Sequence, residues 1–404
     1  MMSETDGPSC LHVTEPSKKG TEMDFSLSPL NKMVIKTAKA FCEREIPKID
    51  AYMKEHKDYP PYLQEIFAKH KMLGMDVPKK YGGLGADNFN LILIAEEVGK
   101  TGSTCMLPFF MNNSVAETIC HWGTEEVIEK FVPPLCDGSA WATMAFTEPN
   151  TGSDPRALTL TAEPDGDDFI LNGTKRFISM ANKPGYGIFF TKDLSMKGKP
   201  FDTTAFVVDK SSPGITFSGH YELMGLDGAD TCDVFFKDVR VPKANILGKQ
   251  GKGFPILLRW IAGERIQQCA ATIGGGQAAL EESVKYGNQR VVGGFPMGMM
   301  QGFSWMLADM KTKVEACRLM CYKTVKLQDE KRKGFESASS ELKVFTVPMI
   351  QDVCKQAVQF HGSYGYSKEY KVEKLFRNAM HAGVVASSLE INKTIAGMTI
   401  LTAK

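Results

Sequence analysis

Met144-Ala-Phe-Thr-Glu-Pro-Asn-Thr-Gly-Ser-Asp154 is the stretch on which the reading of this chain turns. Pro149 removes a backbone donor and Gly152 opens conformations closed to other residues, so the segment is kept from being helical. It gathers the hydroxyls of Thr147, Thr151 and Ser153, the carboxyls of Glu148 and Asp154, and several free amides into one loop. Such a loop can set N–H and O–H donors around a polarised ring or a thioester. By itself the signal is weak, because Thr-Glu-Pro and Gly-Ser-Asp loops are common helix entries. A second glycine-rich segment far downstream, Gln359-Phe-His-Gly-Ser-Tyr-Gly-Tyr366, adds a place where backbone amides can approach a phosphate.

The 404 residues call for two or three packed subdomains. A hydrophobic content of 43% with 24% charged residues is ordinary for a globular protein. Lys and Arg number 48 against 47 Asp and Glu, a net charge of +1 that gives no reason to expect nucleic acid or an anionic membrane as partner. No apolar run approaches the roughly 18 residues of a membrane span. The ten cysteines include no Cys-x-x-Cys pair. Cys317 and Cys321 lie one helical turn apart without a matching cluster, so no metal site is expected and the cysteines read as reduced thiols of a cytoplasmic protein. Residues 1–22 are polar, with neither an apolar core nor an arginine, and read as a disordered extension rather than a secretory or transit signal.

Residues 23–140 carry a helical pattern: Leu30, Met33, Val34, Ile35, Ala38 and Phe41 recur at three-and-four spacing, as do Leu91, Ile94, Ala95 and Val98. Val77-Pro-Lys-Lys-Tyr-Gly-Gly-Leu-Gly85 breaks it as a loop. Residues 141–250 read as β. Phe169–Ile178 is predicted to be a hairpin turning at Asn172-Gly173, and Ile188–Thr191, Thr204–Val208 and Val234–Phe236 are further strand candidates. Residues 251–404 return to long helices, one running to about Arg290 and another from Gln301 to about Lys333. Gly274-Gly-Gly276 lies inside the first, where each glycine costs roughly 1 kcal/mol relative to alanine, so a close helix–helix or subunit contact is predicted there. The fold class is mostly α with a central β domain.

Together, the two loops and the helical–β–helical chain between and around them resemble the flavin-dependent acyl-CoA dehydrogenase family from about Met23 onward. The resemblance implies a helical domain, a β-barrel-like domain and a C-terminal four-helix bundle. It further implies FAD as cofactor, an acyl-CoA or enoyl-CoA substrate, an electron-transferring flavoprotein as redox partner, and a homotetramer. On the same ground Phe146, Thr147, Phe177 and Ser179 fall beside the flavin, and Ser153 near the phosphopantetheine of the substrate. Arg290 matches an arginine that meets the FAD pyrophosphate across a subunit boundary, although Val291-Val-Gly-Gly-Phe-Pro296 departs from the usual continuation. Gln359, Gly362 and Ser363 match a loop over the FAD diphosphate, and Ser388 and Glu390 match contacts to the adenosine half. His361 reads as a packing or phosphate-side residue, His381 as a pocket-shaping or solvated one.

The base is where the chain departs from the commoner family pattern. Leu375-Phe-Arg-Asn-Ala-Met-His-Ala-Gly-Val-Val-Ala-Ser-Ser-Leu-Glu390 puts Ala386 where most relatives carry the catalytic glutamate. A minority, including isovaleryl- and long-chain types, places that glutamate just before an arginine on an earlier helix. This chain has Glu264-Arg265 there, so Glu264 is the candidate base. A surface partner on an amphipathic helix is the plain alternative for it. Arg265 and the Ala386 amide are the associated substrate-side candidates. The reaction implied is exchange of two hydrogens across Cα–Cβ of an acyl-CoA, with the direction open. Alternatives on the same fold are a flavin monooxygenase, a nitroalkane oxidase, or a non-catalytic scaffold.

Overall fold

The structure, a computed structural model, describes residues 26–154, 157–196 and 202–402. The extension predicted for residues 1–22 lies outside the described residues. Seven helices come first: α1 Pro29–Arg44, α2 Ile46–His56, α3 Leu63–Lys69, α4 Asn88–Thr101, α5 Met106–Trp122, α6 Glu125–Phe131 and α7 Pro133–Asp137. Their starts follow local chemistry. The Ser28 hydroxyl accepts from the Asn31 N–H at 3.1 Å with Pro29 in the first turn, and Asp87 accepts from Asn90 at 3.0 Å.

Seven strands follow: β1 Trp141–Ala145, β2 Thr161–Asp165, β3 Asp168–Ile178, β4 Gly185–Asp193, β5 Thr203–Asp209, β6 Ile215–Phe217 and β7 Cys232–Pro242. They form one sheet in the order β1-β4-β2-β3-β7-β6, with β5 also on β4. Along its length β4 pairs with β1 in parallel and with β5 in antiparallel, and only its end, Lys192–Asp193, reaches β2. The sheet therefore curls around a core that includes Phe169, Leu171, Phe189, Phe206 and Val239.

The hairpin predicted at Asn172-Gly173 is not there. β3 runs straight through, and the turn falls at Gly166-Asp167, where Asp165 pairs with Asp168 and Gly166 has φ +62°. Asn172-Gly173 is instead an irregularity in the β3–β7 register. Asn172 pins it by accepting from the Asp238 N–H at 2.8 Å. Gly173 is required by close approach, because a Cβ there would stand 2.8 Å from Leu160 Cα. The Asn-Gly pair marks a bulge here because alternation of buried Phe169 and Leu171 carries the strand past it.

Helices α8 Gly253–Gln289, α9 Gln301–Asp329, α10 Phe335–Phe360, α11 Lys371–His381 and α12 Leu389–Thr402 complete the chain; α8, α9 and α10 pack on one another and α12 packs on α10. A two-stranded ribbon of β8 Val291–Val292 and β9 Phe295–Pro296 links α8 to α9. The glycine run of α8 crosses α4 with the backbones in contact. A Cβ on Gly274 would overlap the Glu96 carbonyl oxygen, and one on Gly99 would overlap that of Ala271. Gly274→Ala is therefore expected to destabilise the fold by about 1–3 kcal/mol, opposite in sign to its effect in a free helix. Denaturant unfolding of the two proteins at equal concentration checks this; equal or raised stability would rule out the close crossing. No helix among the described residues is long and apolar enough to cross a membrane.

Candidate active site

β1 delivers the chain to Phe146 and Thr147, and two contacts fix the loop that follows. The Arg176 N–H donates to the Thr147 carbonyl at 2.8 Å, and the Lys175 ammonium donates to the Phe146 carbonyl at 3.0 Å and to Glu148 at 2.8 Å. Glu148 also accepts from the Leu160 N–H at 3.0 Å and the Thr159 hydroxyl at 2.6 Å. The Lys175–Glu148 pair is fully sealed, with side chains 0% and 1% exposed. Burial pulls the Lys175 ammonium down to about 8 against the attraction of Glu148. Burial pushes the Glu148 carboxyl up, but the charge and hydrogen bond of Lys175 outweigh it and hold the group below the usual range.

Above this floor β3 presents Phe177. Its φ of +57° lies in the left-handed region, which a bulky residue enters only where its surroundings hold it. The ring is 54% exposed and packs on Tyr221 with centroids 4.6 Å apart. Ser179 follows, its carbonyl accepting from the Thr143 hydroxyl at 2.7 Å and its hydroxyl 3.1 Å from that of Thr231. The fold thus gathers Thr147, Phe177 and Ser179 beside β1. Ser153 is exposed in the loop beyond.

The second group of residues sits where α8 meets the turn before α12. Arg265 donates to the Ala386 carbonyl at 3.3 Å, the Ser340 hydroxyl at 3.0 Å and the Ser387 hydroxyl at 3.4 Å. The Lys343 ammonium donates to the carbonyls of Val385 and Ser387, the latter at 2.7 Å. Ala386 and Ser387 both have positive φ, +49° and +72°. Two cations therefore hold the carbonyls of residues 385–387, while the Ala386 N–H donates to no other described group. Glu264 precedes Arg265 and lines a pocket between α4, α5 and α8. Burial pushes its carboxyl up to about 7, against the pull of Lys343 and Arg265. Burial likewise brings Lys343 down to about 8, and His381 down to about 4 with Lys343 assisting, so His381 is neutral.

A third group lies apart. Gln359, Gly362 and Ser363 are exposed at the end of α10, and Gly362 has φ +59° with open space where a Cβ would stand. His361 is a packing residue, with Nδ1 2.7 Å from the Ala357 carbonyl and its ring 4.4 Å from Tyr286 of α8. That stacking puts the 359–363 turn at the same end of the bundle as exposed Arg290. From Glu264 to that end α8 runs 25 residues, about 38 Å at 1.5 Å per residue. Arg290 thus lies a long helix away from Glu264. Ser388 accepts from the Ile391 N–H at 3.4 Å at the start of α12, and Glu390 is exposed in the first turn.

Family models cover nearly all of this architecture. The acyl-CoA dehydrogenase N-terminal domain matches residues 28–139, the middle domain residues 143–239 and the C-terminal domain residues 251–401. The chain belongs to the acyl-CoA dehydrogenase family. It is 34% identical to the caffeyl-CoA reductase–Etf complex subunit CarC of Acetobacterium woodii over 92% of this chain and 99% of that one. It is 32% identical to the acryloyl-CoA reductase (NADH) of Anaerotignum propionicum over 94% and 96% of the two chains. Among solved structures, butyryl-CoA dehydrogenase from Megasphaera elsdenii superposes with a TM-score of 0.89 at 32% identity, over 94% of this chain and all of that one.

As a member of this family, the chain is an FAD-dependent oxidoreductase acting on the Cα–Cβ bond of acyl-CoA thioesters. The site fits that cofactor. Phe177 offers an exposed aromatic face beside Thr147, whose hydroxyl bonds to no described group, and Gly362 leaves a turn that a backbone phosphate contact would need. Two residues that shape the site were not anticipated from the sequence, Lys175 and Lys343. Neither carries a sequence signal of its burial, since Lys175 stands between Thr174 and Arg176 and Lys343 has Ser339, Ser340 and Thr346 one turn away on α10.

Proposed function

We propose that Glu264 is the acid–base group that exchanges the α-proton of the bound acyl-CoA. The observation that carries this reading is a pocket-lining carboxyl, Glu264, that feels the charges of Lys343 and Arg265, the two cations that clamp the carbonyls of the Ala386 turn. FAD, when bound, would take or supply the hydride at the β-carbon. The Ala386 N–H would donate to the thioester carbonyl, making the α-proton more acidic, and this role needs no side chain at 386. Arg265 and Lys343 would hold that amide in place. Thr147, Phe177 and Ser179 would orient the ring, with Phe146 beneath them and Ser153 towards the phosphopantetheine.

Arg290, Gln359, Gly362, Ser363, Ser388 and Glu390 would complete the cofactor site. Arg290 and the 359–363 turn would act on the cofactor of a neighbouring protomer, a reading that the span of α8 supports and that fits a homotetramer. So does the exposed apolar surface at the same end of the bundle, where Phe295 is 65%, Met299 76% and Trp305 62% exposed. An electron-transferring flavoprotein as partner is supported by the Etf complex in the name of the relative CarC. A cytoplasmic location suits the nine unpaired cysteines of the described residues.

The pH dependence tests the base. Abstraction needs Glu264 ionised, so kcat/KM for oxidising a saturated acyl-CoA should rise about tenfold per unit below pH 7 and level off above it. Reduction of an enoyl-CoA needs the protonated form, so that rate should fall above pH 7. Stopped-flow half-reactions in both directions measure this; profiles that bend in the same direction would reject Glu264.

A further inference from the structure

The backbone that carries Phe177 and Ser179 leaves the sheet along a distorted path. The β3–β7 register slips between Lys175 and Ile178, a bulge at which Phe177 stands exposed, and β3 ends at Ile178. Met180 follows shortly after, again in the left-handed region with φ +55°, its side chain wholly buried in the core that includes Tyr59, Trp141 and Leu226. Positive φ at a residue other than glycine stores strain, and two such residues so close together persist only where their surroundings hold them.

What holds Met180 is a pair of buried ionisable side chains. Asp230, just before β7, accepts from the Met180 N–H at 2.8 Å, and Lys210, just after β5, donates to the Met180 carbonyl at 2.8 Å. Asp230 is 0% and Lys210 3% exposed. The peptide between Ser179 and Met180 is therefore fixed at both ends, its carbonyl by the Thr143 hydroxyl at 2.7 Å and its N–H by Asp230. Burying a carboxyl and an ammonium costs stability, and a neutral hydroxyl could satisfy a stray peptide more cheaply. The Asp230 Oδ2 oxygen even lacks a hydrogen bond among the described residues, with the Lys183 ammonium 3.9 Å away and engaged by Asp58 at 2.6 Å. Hydrogen bonds to ionised groups are roughly twice as strong as neutral ones, which suits a strained residue that must stay in one place.

We infer that Asp230 and Lys210 are positioning residues of the flavin site: they grip Met180 at its N–H and its carbonyl, and so fix how Ser179 and Phe177 meet the ring. The inference rests on the placement of Phe177 and Ser179 beside the ring and adds the groups that hold them there.

The test uses full-length FAD-loaded protein and reads the FAD Kd together with the visible circular dichroism of the bound flavin, which reports how the ring is held. Asp230→Ala and Lys210→Met should each weaken FAD binding by about 10-fold or more and alter the dichroism. Asp230→Asn keeps an oxygen for the Met180 N–H and should stay close to wild type in both. An Asp230→Asn protein as impaired as Asp230→Ala overturns the inference, because charge and not the grip on Met180 would then be what Asp230 contributes. Wild-type affinity and dichroism in Asp230→Ala or in Lys210→Met overturn it as well. Lys210→Met decides where Asp230→Ala does not fold. Burial already brings the Lys210 ammonium down to about 7, methionine fills similar space without a buried charge, and the Lys183 N–H still donates to the Met180 carbonyl at 3.3 Å. Ser179→Ala and Phe177→Ala separate the inference from the reading beneath it. If they leave the dichroism unchanged, both fail; if they alter it and the Asp230 and Lys210 variants do not, the inference alone fails.

Discussion

Glu264→Gln should bind FAD and acyl-CoA much as wild type does and lose about 10²–10⁴-fold in the rate of flavin reduction by a saturated acyl-CoA. Glutamine keeps the size and polarity of the side chain, so the pocket and the adjacent Arg265 clamp on Ala386 are left in place. What disappears is a group that can hold a proton at one moment and release it at another. The carboxyl sits near 7 because burial disfavours its charge and Lys343 and Arg265 partly restore it. Rapid-mixing absorbance separates the two steps: an early spectral shift reports binding, and bleaching reports electron transfer. Loss of bleaching with the early shift retained is the expected result. Loss of both would point to a structural role.

Lys175→Met should destabilise the protein by about 3–5 kcal/mol and lower its FAD content. The ammonium is sealed against Glu148 and also holds the Phe146 carbonyl, the residue that leads into Thr147. Removing it strands a buried carboxylate, and that uncompensated charge is the main cost. Lys175→Met combined with Glu148→Leu removes both charges and should recover a good part of the stability, without the loop geometry that Glu148 enforces through Thr159 and Leu160. Unfolding midpoints at fixed protein and FAD concentrations check both variants. A single variant as stable as wild type would show that the pair contributes nothing.

The order of helical and β segments was legible because it rests on periodicity, which burial enforces along every element. The glycine run of α8 was legible for the same reason, since only close approach excuses three glycines inside a helix. The Asn172-Gly173 hairpin was misread because the pair fits either a turn or a bulge, and the choice depends on β7 and Leu160, which are distant in sequence. The candidate base was reachable from Ala386 and Glu264-Arg265 as a pair of departures from a family pattern. Lys343 and Lys175 were not, because an isolated lysine usually lies on a solvated face and both here are buried. The grip on Met180 was least legible of all. Asp230 and Lys210 stand in separate segments of the β domain, and their meeting at one residue exists only once the chain is folded.

The central claim is that Glu264 moves the α-proton. Its most direct test is deuterium incorporation at Cα of a bound acyl-CoA in heavy water, without an electron acceptor, for wild type and Glu264→Gln, followed by mass spectrometry. Incorporation by wild type and none by the variant is the predicted result. Incorporation at the same rate by both would place the base elsewhere and contradict the account.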